Sequence, residues 1–467
     1  MTPLRAPIFW VDITLYGGDN QRSMTDLLIK DGVGPFSEYA SYVSGLECLA
    51  RESSKTPDWI ARVYDSLNGQ ASVELRKVAP VEIRRQHGVF FTGGELAERL
   101  LGKSKFNPDV DFIYDPAVGA GDLLLAAARR MPLKQTLKST LESWGRCLAG
   151  TDLHDEFIQV AKLRITLLAR QRHGVIEGIL MGKEEYFPYI RKGDGLFQKS
   201  LYSKATHIIM NPPFSMSGPM KDCEWAGGRV SDAALFVVKA LEACRPKTQV
   251  LAILPEVLRS GSFQSRWRGQ VGELSKVHSV KYYGQFDKST DIDVFLLTLE
   301  RRGDEPDKRK RWPQLRISEK KTVAKYFDVS VGSVVPHRDR KTGPRYEYIH
   351  ARCVPAWGVM NASPETRRFN GTVYKPPFVV IRRTSRPGPA HRATATVIVG
   401  SKQIAVENHL IVLKPKDGKL VTCKQLLKRL MMEATDQWLN RRICCRHLTV
   451  GAVTEIPFKM PFPRGAK

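Results

Sequence analysis

The sequence predicts an α/β fold, a mostly parallel sheet with helices on both faces, followed by a C-terminal, mixed but mostly β region. Three observations predict it. Between residues 81 and 300, short apolar runs alternate with amphipathic helical stretches. The connections between them are short, as repeated β-α-β units allow. From Arg301 the chain becomes charged, Pro-bearing and then β-rich.

The elements follow in order. "DFIYDPA" reads as a strand and "GDLLLAAARRM" as a helix; "RCLAGTDL" is a strand and "EFIQVAKLRITLLARQR" a helix. "ATHIIMNPP", "AALFVVKALEAC" and "QVLAILP" continue as strand, helix and strand. "VHSVKYYGQF" and "DVFLLTLERR" are too close for a long helix between them, so an antiparallel ending is expected. Helical apolar spacing in "MTDLLIKD" and "DWIARVYDSL" makes residues 1–80 a mostly helical N-terminal extension. Residues 81–302 then form the first α/β domain and 303–467 a separate basic one. Its strands are "PFVVIRRTS", "ATATVIVG" and "NHLIVLKP". One helix, "KQLLKRLMMEATDQWLNRR", places Leu427, Leu430, Met431, Ala434 and Trp438 on a single face.

The totals bound the partners. Among 467 residues, 73 Lys+Arg stand against 48 Asp+Glu, a formal charge of +25. Residues 301–400 carry 22 Lys+Arg against 8 Asp+Glu, a net +14, so over half the charge sits in about a fifth of the chain. A polyanion is the expected partner. The N-terminus lacks signal-peptide character, and no apolar run approaches the roughly 18–20 residues of a membrane span. A cytoplasmic location with no membrane partner is expected. Eight scattered cysteines without ligand spacing read as reduced thiols, and no metal site is expected.

Chemistry is concentrated at strand ends. In "IYDPAVGAGDLLLAA", Gly119 and Gly121 occupy the turn between a strand ending at Asp115 and a helix. The turn lacks G-x-G-x-x-G spacing and the P-loop Lys, and the acid at 122 disfavours a pyrophosphate. A cationic or zwitterionic nucleoside suits it better. Asp152 ends the next strand, where a carboxylate can accept from both hydroxyls of a ribose. A solvent-facing loop aspartate satisfies the same pattern, and it is the pairing with the glycine turn that favours the ribose. Asp194 follows in "KGDGLF", and "HIIMNPPF" closes the series with Asn211, Pro212, Pro213 and Phe214.

Taken in order after "GVFFTGGELAERLL" (88–101), the stretches "DPAVGAG", "GTDL", "GDGLF" and "NPPF" resemble the N6-adenine DNA methyltransferases, in the class whose Phe-Thr motif comes first and recognition domain last. The similarity covers about residues 80–300 and implies a Rossmann-like methyltransferase sheet using S-adenosylmethionine. It also implies that Phe90, Phe91 and Thr92 contact the methionine end of the cofactor. Asp115, Ala117, Gly119 and Gly121 would line it, with Asp152 on the ribose and Asp194 near the adenine. Asn211, Pro212, Pro213 and Phe214 would form the catalytic cup, with Phe286 and then Tyr283 as further faces for the target base. An exocyclic purine amine is a poor nucleophile because its lone pair is delocalised. Two acceptors, the Asn211 oxygen and the Pro212 carbonyl, would draw it toward sp³, and the prolines would fix their aim. The chain departs from the family pattern at Val118 and Ala120, where Cys and Ser are usual, at Gly93-Gly94, and at Asp122, which nothing in the pattern explains.

Arg382, Arg383, Arg386 and Arg392 in "VIRRTSRPGPAHR" suit a loop gripping double-stranded DNA. The implied function is site-specific methylation of a flipped-out adenine, the modification half of a restriction–modification or phage-defence system with a cognate restriction endonuclease as candidate partner. Three alternatives stay open: an RNA or protein-glutamine substrate, a non-catalytic binding module, and a subunit dependent on a separate specificity partner.

Overall fold

A computed structural model describes residues 36–459, apart from 54–55, 175–185, 220–222, 224, 227, 288–291, 304–311, 313–321, 386–390 and 444–445. "MTDLLIKD" and most of the charged stretch after Arg301 lie outside the described residues. The central strands are β1 (Ile113–Asp115), β2 (Leu148–Asp152), β3 (Ile190–Lys192), β4 (His207–Met210), β7 (Gln249–Pro255), β8 (Ser275–Gln285) and β9 (Asp293–Arg301), with a two-stranded ribbon, β5 (Met216–Pro219) and β6 (Arg229–Ser231), beside them. The seven-stranded order is β3-β2-β1-β4-β7-β9-β8. β1 pairs in parallel with β2 and β4, and β7 continues the parallel run from β4. β9 is antiparallel to both β7 and β8, the ending expected from the short connection. β3 (Ile-Arg-Lys), β5 (Met-Ser-Gly-Pro) and β6 (Arg-Val-Ser) escaped the sequence reading, since none of them carries an apolar run.

Strand order reverses between β1 and β4: the chain runs outward through β2 and β3, then returns to the other side of β1. Ligands of doubly wound sheets bind in the crevice beyond the strand ends at this switch point. The glycine turn and Asn211–Phe214 both leave the sheet there.

Each face of the sheet is covered. On one, the helices Asp122–Ala128, Leu137–Cys147 and Asp155–His173 share a single core with the N-terminal helices Ala40–Arg51, Pro57–Leu67 and Gln70–Val78. On the other, Asp232–Ala243 and Ser265–Leu274 pack over β4 and β7, with Trp267 fully buried. The N-terminal helices are held by buried cations as well as apolar contact. The Arg170 guanidinium donates to the carbonyls of Leu49, Ala50 and Glu52, at 3.2, 2.9 and 2.8 Å, and lies 4.9 Å from the Trp59 ring centre. It thereby satisfies carbonyls at the end of the Ala40–Arg51 helix, which have no intrahelical donor.

The C-terminal region forms two sheets from β10 (Phe327–Val331), β11 (Arg345–Ile349), β12 (Val359–Met360), β13 (Thr366–Arg368), β14 (Phe378–Arg382), β15 (Ala395–Ile398), β16 (Ile404–Val406) and β17 (Leu410–Pro415). Their orders are β10-β17-β14-β15-β12 and β13-β11-β16. The single helix expected near the C-terminus is two, Leu420–Leu430 and Glu433–Arg442. Met432 is extended, with ψ 136°, and the Thr435 hydroxyl donates to the Arg429 carbonyl at 2.7 Å. The predicted face is therefore split. Leu427 and Leu430 are buried, but Met431 and Ala434 turn to solvent and Leu439 replaces them in the core.

Replacing Arg170 with Met keeps apolar volume but removes the Arg170 donors from the Ala50 and Glu52 carbonyls, while Leu49 O keeps the Trp59 Nε1–H at 3.0 Å. Urea denaturation should show a loss of roughly 2–5 kcal/mol, given ~1–3 kcal/mol for each buried acceptor left unpaired.

Candidate active site

The turn after β1 is built on close approaches. Gly119 has φ +50°, and a Cβ there would lie 3.1 Å from the Phe91 ring. Gly121 has φ +84°, and its Cβ would meet that of Ala161 at 2.9 Å. Gly119 thus admits the Phe-Thr segment, whereas Gly121 lets the Asp155–His173 helix close on the turn. Gly119 and Ala117 are half-buried; Gly121 is buried.

The three strand-end acids behave differently. Asp152 Oδ2 accepts from the Gly119 N–H at 3.0 Å and Oδ1 from His154 N–H at 3.1 Å. Burial pushes its pKa up to about 6 against the lowering effect of these donors. Asp194 Oδ1 accepts from Leu196 N–H at 2.9 Å, and the preceding Gly193 N–H donates to the Asp152 carbonyl at 2.9 Å, so the two acidic loops are joined. Asp115 is 1% exposed and accepts from Ala117 N–H at 3.0 Å; burial first, then Asp152 and Asp122, raise its pKa to about 8. Its carboxyl holds the Ala117 N–H at the start of the turn. Leu153 and Phe197, 61% and 78% exposed, stand beside the acidic loops as apolar surface that the sequence reading missed.

Asn211 is oriented by the Phe-Thr segment. Its Nδ2 donates to the Phe90 carbonyl at 3.1 Å and to Thr92 Oγ1 at 3.0 Å. A carbonyl only accepts, so the amide nitrogen must face Phe90, and Oδ1 is turned away from this anchor. Gly88, with φ +65°, lets the same segment press against Pro213: a Cβ there would lie 2.5 Å from the proline Cβ. Pro212 is buried, and Pro213 and Phe214 are half-buried. Past Phe214, the Ser215 and Ser217 hydroxyls donate to the two Asp232 oxygens at 2.6 and 2.5 Å. Asp232 therefore pins the exit of the cup. It lies apart from the cup in sequence and carried no motif signal.

Phe286 is only 7% exposed and sits edge-on to Phe214 at 5.6 Å and Phe90 at 6.5 Å. Its edge-on contacts make it a packing partner of Phe214 and Phe90. Tyr283 is half-buried and more accessible.

Asp122 is explained by Arg164. Its Oδ2 accepts from the Gly93 N–H at 2.8 Å, and Oδ1 lies 2.9 Å from the Arg164 guanidinium. Arg164 also donates to the carbonyls of Ser66 at 2.7 Å and Ala120 at 2.5 Å. With its charge compensated, Asp122 no longer argues against a pyrophosphate; Asp152 and Asp194, with no ion pair among the described residues, and the missing P-loop Lys carry that exclusion.

The C-terminal arginines do not form the expected quartet. Arg392 is fully buried, donating to Ser385 O and Oγ at 2.7 and 2.8 Å and to Ile443 O at 2.8 Å. Its guanidinium serves loop carbonyls and is unavailable to a phosphate, a correction to the DNA-binding assignment. Arg382 is half-buried and donates to Val354 O at 2.8 Å, and Arg383 is half-buried. Arg386 lies outside the described residues. Among the described residues, no acid or His/Cys cluster has the makings of a metal site, and no helix is long and apolar enough to cross a membrane.

Breaking a buried ion pair from one side leaves an uncompensated charge, typically a loss of about 3–5 kcal/mol. Asp122→Asn and Arg164→Met should each fall near that range in urea denaturation. The double variant should lose clearly less than the sum, the signature of a coupled pair.

A family described as N-6 DNA Methylase matches residues 72–310. Among solved structures, the type IIG restriction endonuclease BpuSI is 14% identical, covering 83% of this chain and 60% of its own, with a TM-score of 0.40. The type I restriction enzyme EcoKI M protein is 15% identical, covering 61% and 67%, with a TM-score of 0.35. The type I restriction-modification methyltransferase subunit from Streptococcus thermophilus is 17% identical, covering 46% and 45%, with a TM-score of 0.33. The chain thus spans less than two thirds of the BpuSI and Streptococcus chains. No curated protein sequence matches it. With the family match spanning just over half of its length, from the last N-terminal helix past β9, the chain belongs to the N-6 DNA methylase family.

Proposed function

We propose that the chain is an S-adenosylmethionine-dependent methyltransferase that modifies N6 of an adenine flipped out of double-stranded DNA. In this reading it is the modification component of a restriction–modification or phage-defence system, located in the cytoplasm with the nucleoid and paired with a cognate restriction endonuclease. The observation that carries the proposal is the anchoring of Asn211 Nδ2 on Phe90 O and Thr92 Oγ1, which commits the amide oxygen to the opposite side. An amide acceptor held this way at a strand end, followed by two prolines, suits a planar amine. Residues 81–302 would carry catalysis and 303–467 target recognition, with the N-terminal helices as a buttress.

The residues at the switch point fit the cofactor. Ala117 and Gly119 stay half-buried at the turn, and Asp152 and Asp194 offer carboxylates to a cationic nucleoside. Asp152 would accept from the ribose hydroxyls and Asp194 from the adenine amine, with Leu153 and Phe197 as apolar flanks. Phe90, Phe91 and Thr92 would bound the methionine end. When bound, the cofactor supplies an electrophilic methyl on a sulfonium. Phe214 would stack on the extruded base, with Tyr283 beside it. Asn211 Oδ1 and the Pro212 carbonyl would accept from the two N6 hydrogens and orient the lone pair. The proton leaves after transfer, so no strong base is required in the cup. Extrusion costs a few kcal/mol, which the basic C-terminal region would offset through phosphate contacts.

Expressed in a methylation-free host, the wild-type chain should leave N6-methyladenine in one sequence context, read by single-molecule sequencing. Asn211→Ala should lower methylation by about 10²-fold or more while the cofactor still raises the melting temperature. Methylation that requires a co-expressed second chain would favour the specificity-partner alternative. A pH dependence follows from Asp152. Ribose donors favour its ionised form, so cofactor affinity should rise from pH 5 to 7 as the group titrates near 6, then level off. Calorimetry should find that rise absent in Asp152→Asn.

A further inference from the structure

The three-stranded sheet β13-β11-β16 places two exposed arginines directly opposite each other, Arg368 also reaching the Gly343 carbonyl at 3.5 Å. β11 and β13 are antiparallel, and Arg345 and Arg368 are direct cross-strand partners. Residues directly opposite share a face, and like charges there repel. Both arginines are exposed. The inner face explains why the register cannot relax. Tyr346 pairs with Arg367, whose guanidinium lies 5.7 Å from the Tyr348 ring centre, and Tyr348 and Phe369 are buried. A one-residue slip would expose those aromatics. The repulsion is thus built in by the packing beneath it.

The loop entering β11 adds to the same charge. Arg338, Arg340 and Lys341 are all exposed, Arg338 with 76% of its side chain accessible. The one acid among them, Asp339, pairs with Arg338 at the surface, Oδ1 lying 3.4 Å from Nε, while its Oδ2 accepts from Val335 N–H at 2.7 Å and its carbonyl from Arg367 at 2.7 Å; Arg340 and Lys341 add the remaining charge. Glu347, on the outer face next to Arg345, accepts from Ser363 N–H at 3.0 Å and lies 3.6 Å from Lys402 Nζ.

We propose that Arg345 and Arg368, with the loop cations Arg338, Arg340 and Lys341, form a phosphate-gripping platform for duplex DNA. This rests on duplex DNA being the substrate, and it moves the grip away from the loop that holds Arg392. An arginine pair facing outward suits successive phosphates of a backbone, which position a duplex without reading its sequence. Polyanion binding also relieves the repulsion that the register imposes.

The test uses the full chain, filter binding or anisotropy with a generic duplex across a salt series, and thermal melting. Arg345→Ala/Arg368→Ala should reduce the slope of log K against log salt by about 1.8, since each lost phosphate contact contributes about 0.9. Arg368→Glu creates an opposite-charge pair across the strands. It should weaken DNA binding by about tenfold or more at low salt and yet raise the melting temperature by roughly 1–3 °C. A purely structural role for Arg368 would move stability without changing the salt slope, and would overturn the proposal. Wild-type binding matched in affinity and slope by both variants would overturn it and leave the methyltransferase reading intact. A wild-type chain that binds no duplex at any salt would overturn both.

Discussion

A buried guanidinium–carboxylate pair holds the glycine-turn side of the switch point together. Arg164 and Asp122 lie at opposite sides of one short contact, and between them they bind four separate pieces of chain. Ser66 belongs to the N-terminal helices, Ala120 to the glycine turn, Gly93 to the Phe-Thr segment, and Arg164 itself to the helix after β2. Three of the contacts are to backbone groups, the Ser66 and Ala120 carbonyls in the buried interior and the Gly93 N–H at its half-buried edge, and each would lose its partner without this pair. A buried pair adds little net stability over a well-packed apolar substitute, but it fixes geometry strictly, because each partner strands the other if it moves.

What depends on that geometry is the position of Asn211. Gly93 follows Thr92 directly, so fixing the Gly93 N–H on Asp122 places Thr92 Oγ1 and the Phe90 carbonyl for Asn211. The cup and the cofactor turn, some ninety residues apart, are thereby one rigid assembly. Positional precision of this kind is where intramolecular rate gains arise, since misplacement by about 1 Å can cost about 10²-fold. The N-terminal helices gain a role as well, because Arg164 and Arg170 both reach their backbone from the same helix.

Much of the α/β half was legible because its signals are local. The alternation of apolar runs and amphipathic helices located β1, β2, β4, β7, β8 and β9, and the short link before β9 foretold its antiparallel pairing. The proline pair after β4 and the glycines after β1 marked the switch point for the same reason. What was lost depends on long-range contact. Asp122 looked anomalous because its partner is 42 positions away, and Asp232 carried no motif. Phe286 packs edge-on to Phe90 and Phe214, which periodicity does not reveal. Arg392 sat in an Arg-rich loop, yet loop carbonyls, not phosphates, take its hydrogen bonds. The split of the C-terminal helix at Met432 had no proline or glycine to announce it.

The central claim is methyl transfer to an exocyclic adenine nitrogen in DNA by a cup that Asn211 and Pro212 define. Its most direct measurement incubates the purified chain with unmethylated duplex DNA and isotope-labelled S-adenosylmethionine, then identifies labelled nucleosides by mass spectrometry. The account predicts label in N6-methyladenine, lost in Asn211→Ala. Label in N4-methylcytosine, label only in RNA or protein supplied in parallel, or an undiminished signal from Asn211→Ala would contradict it.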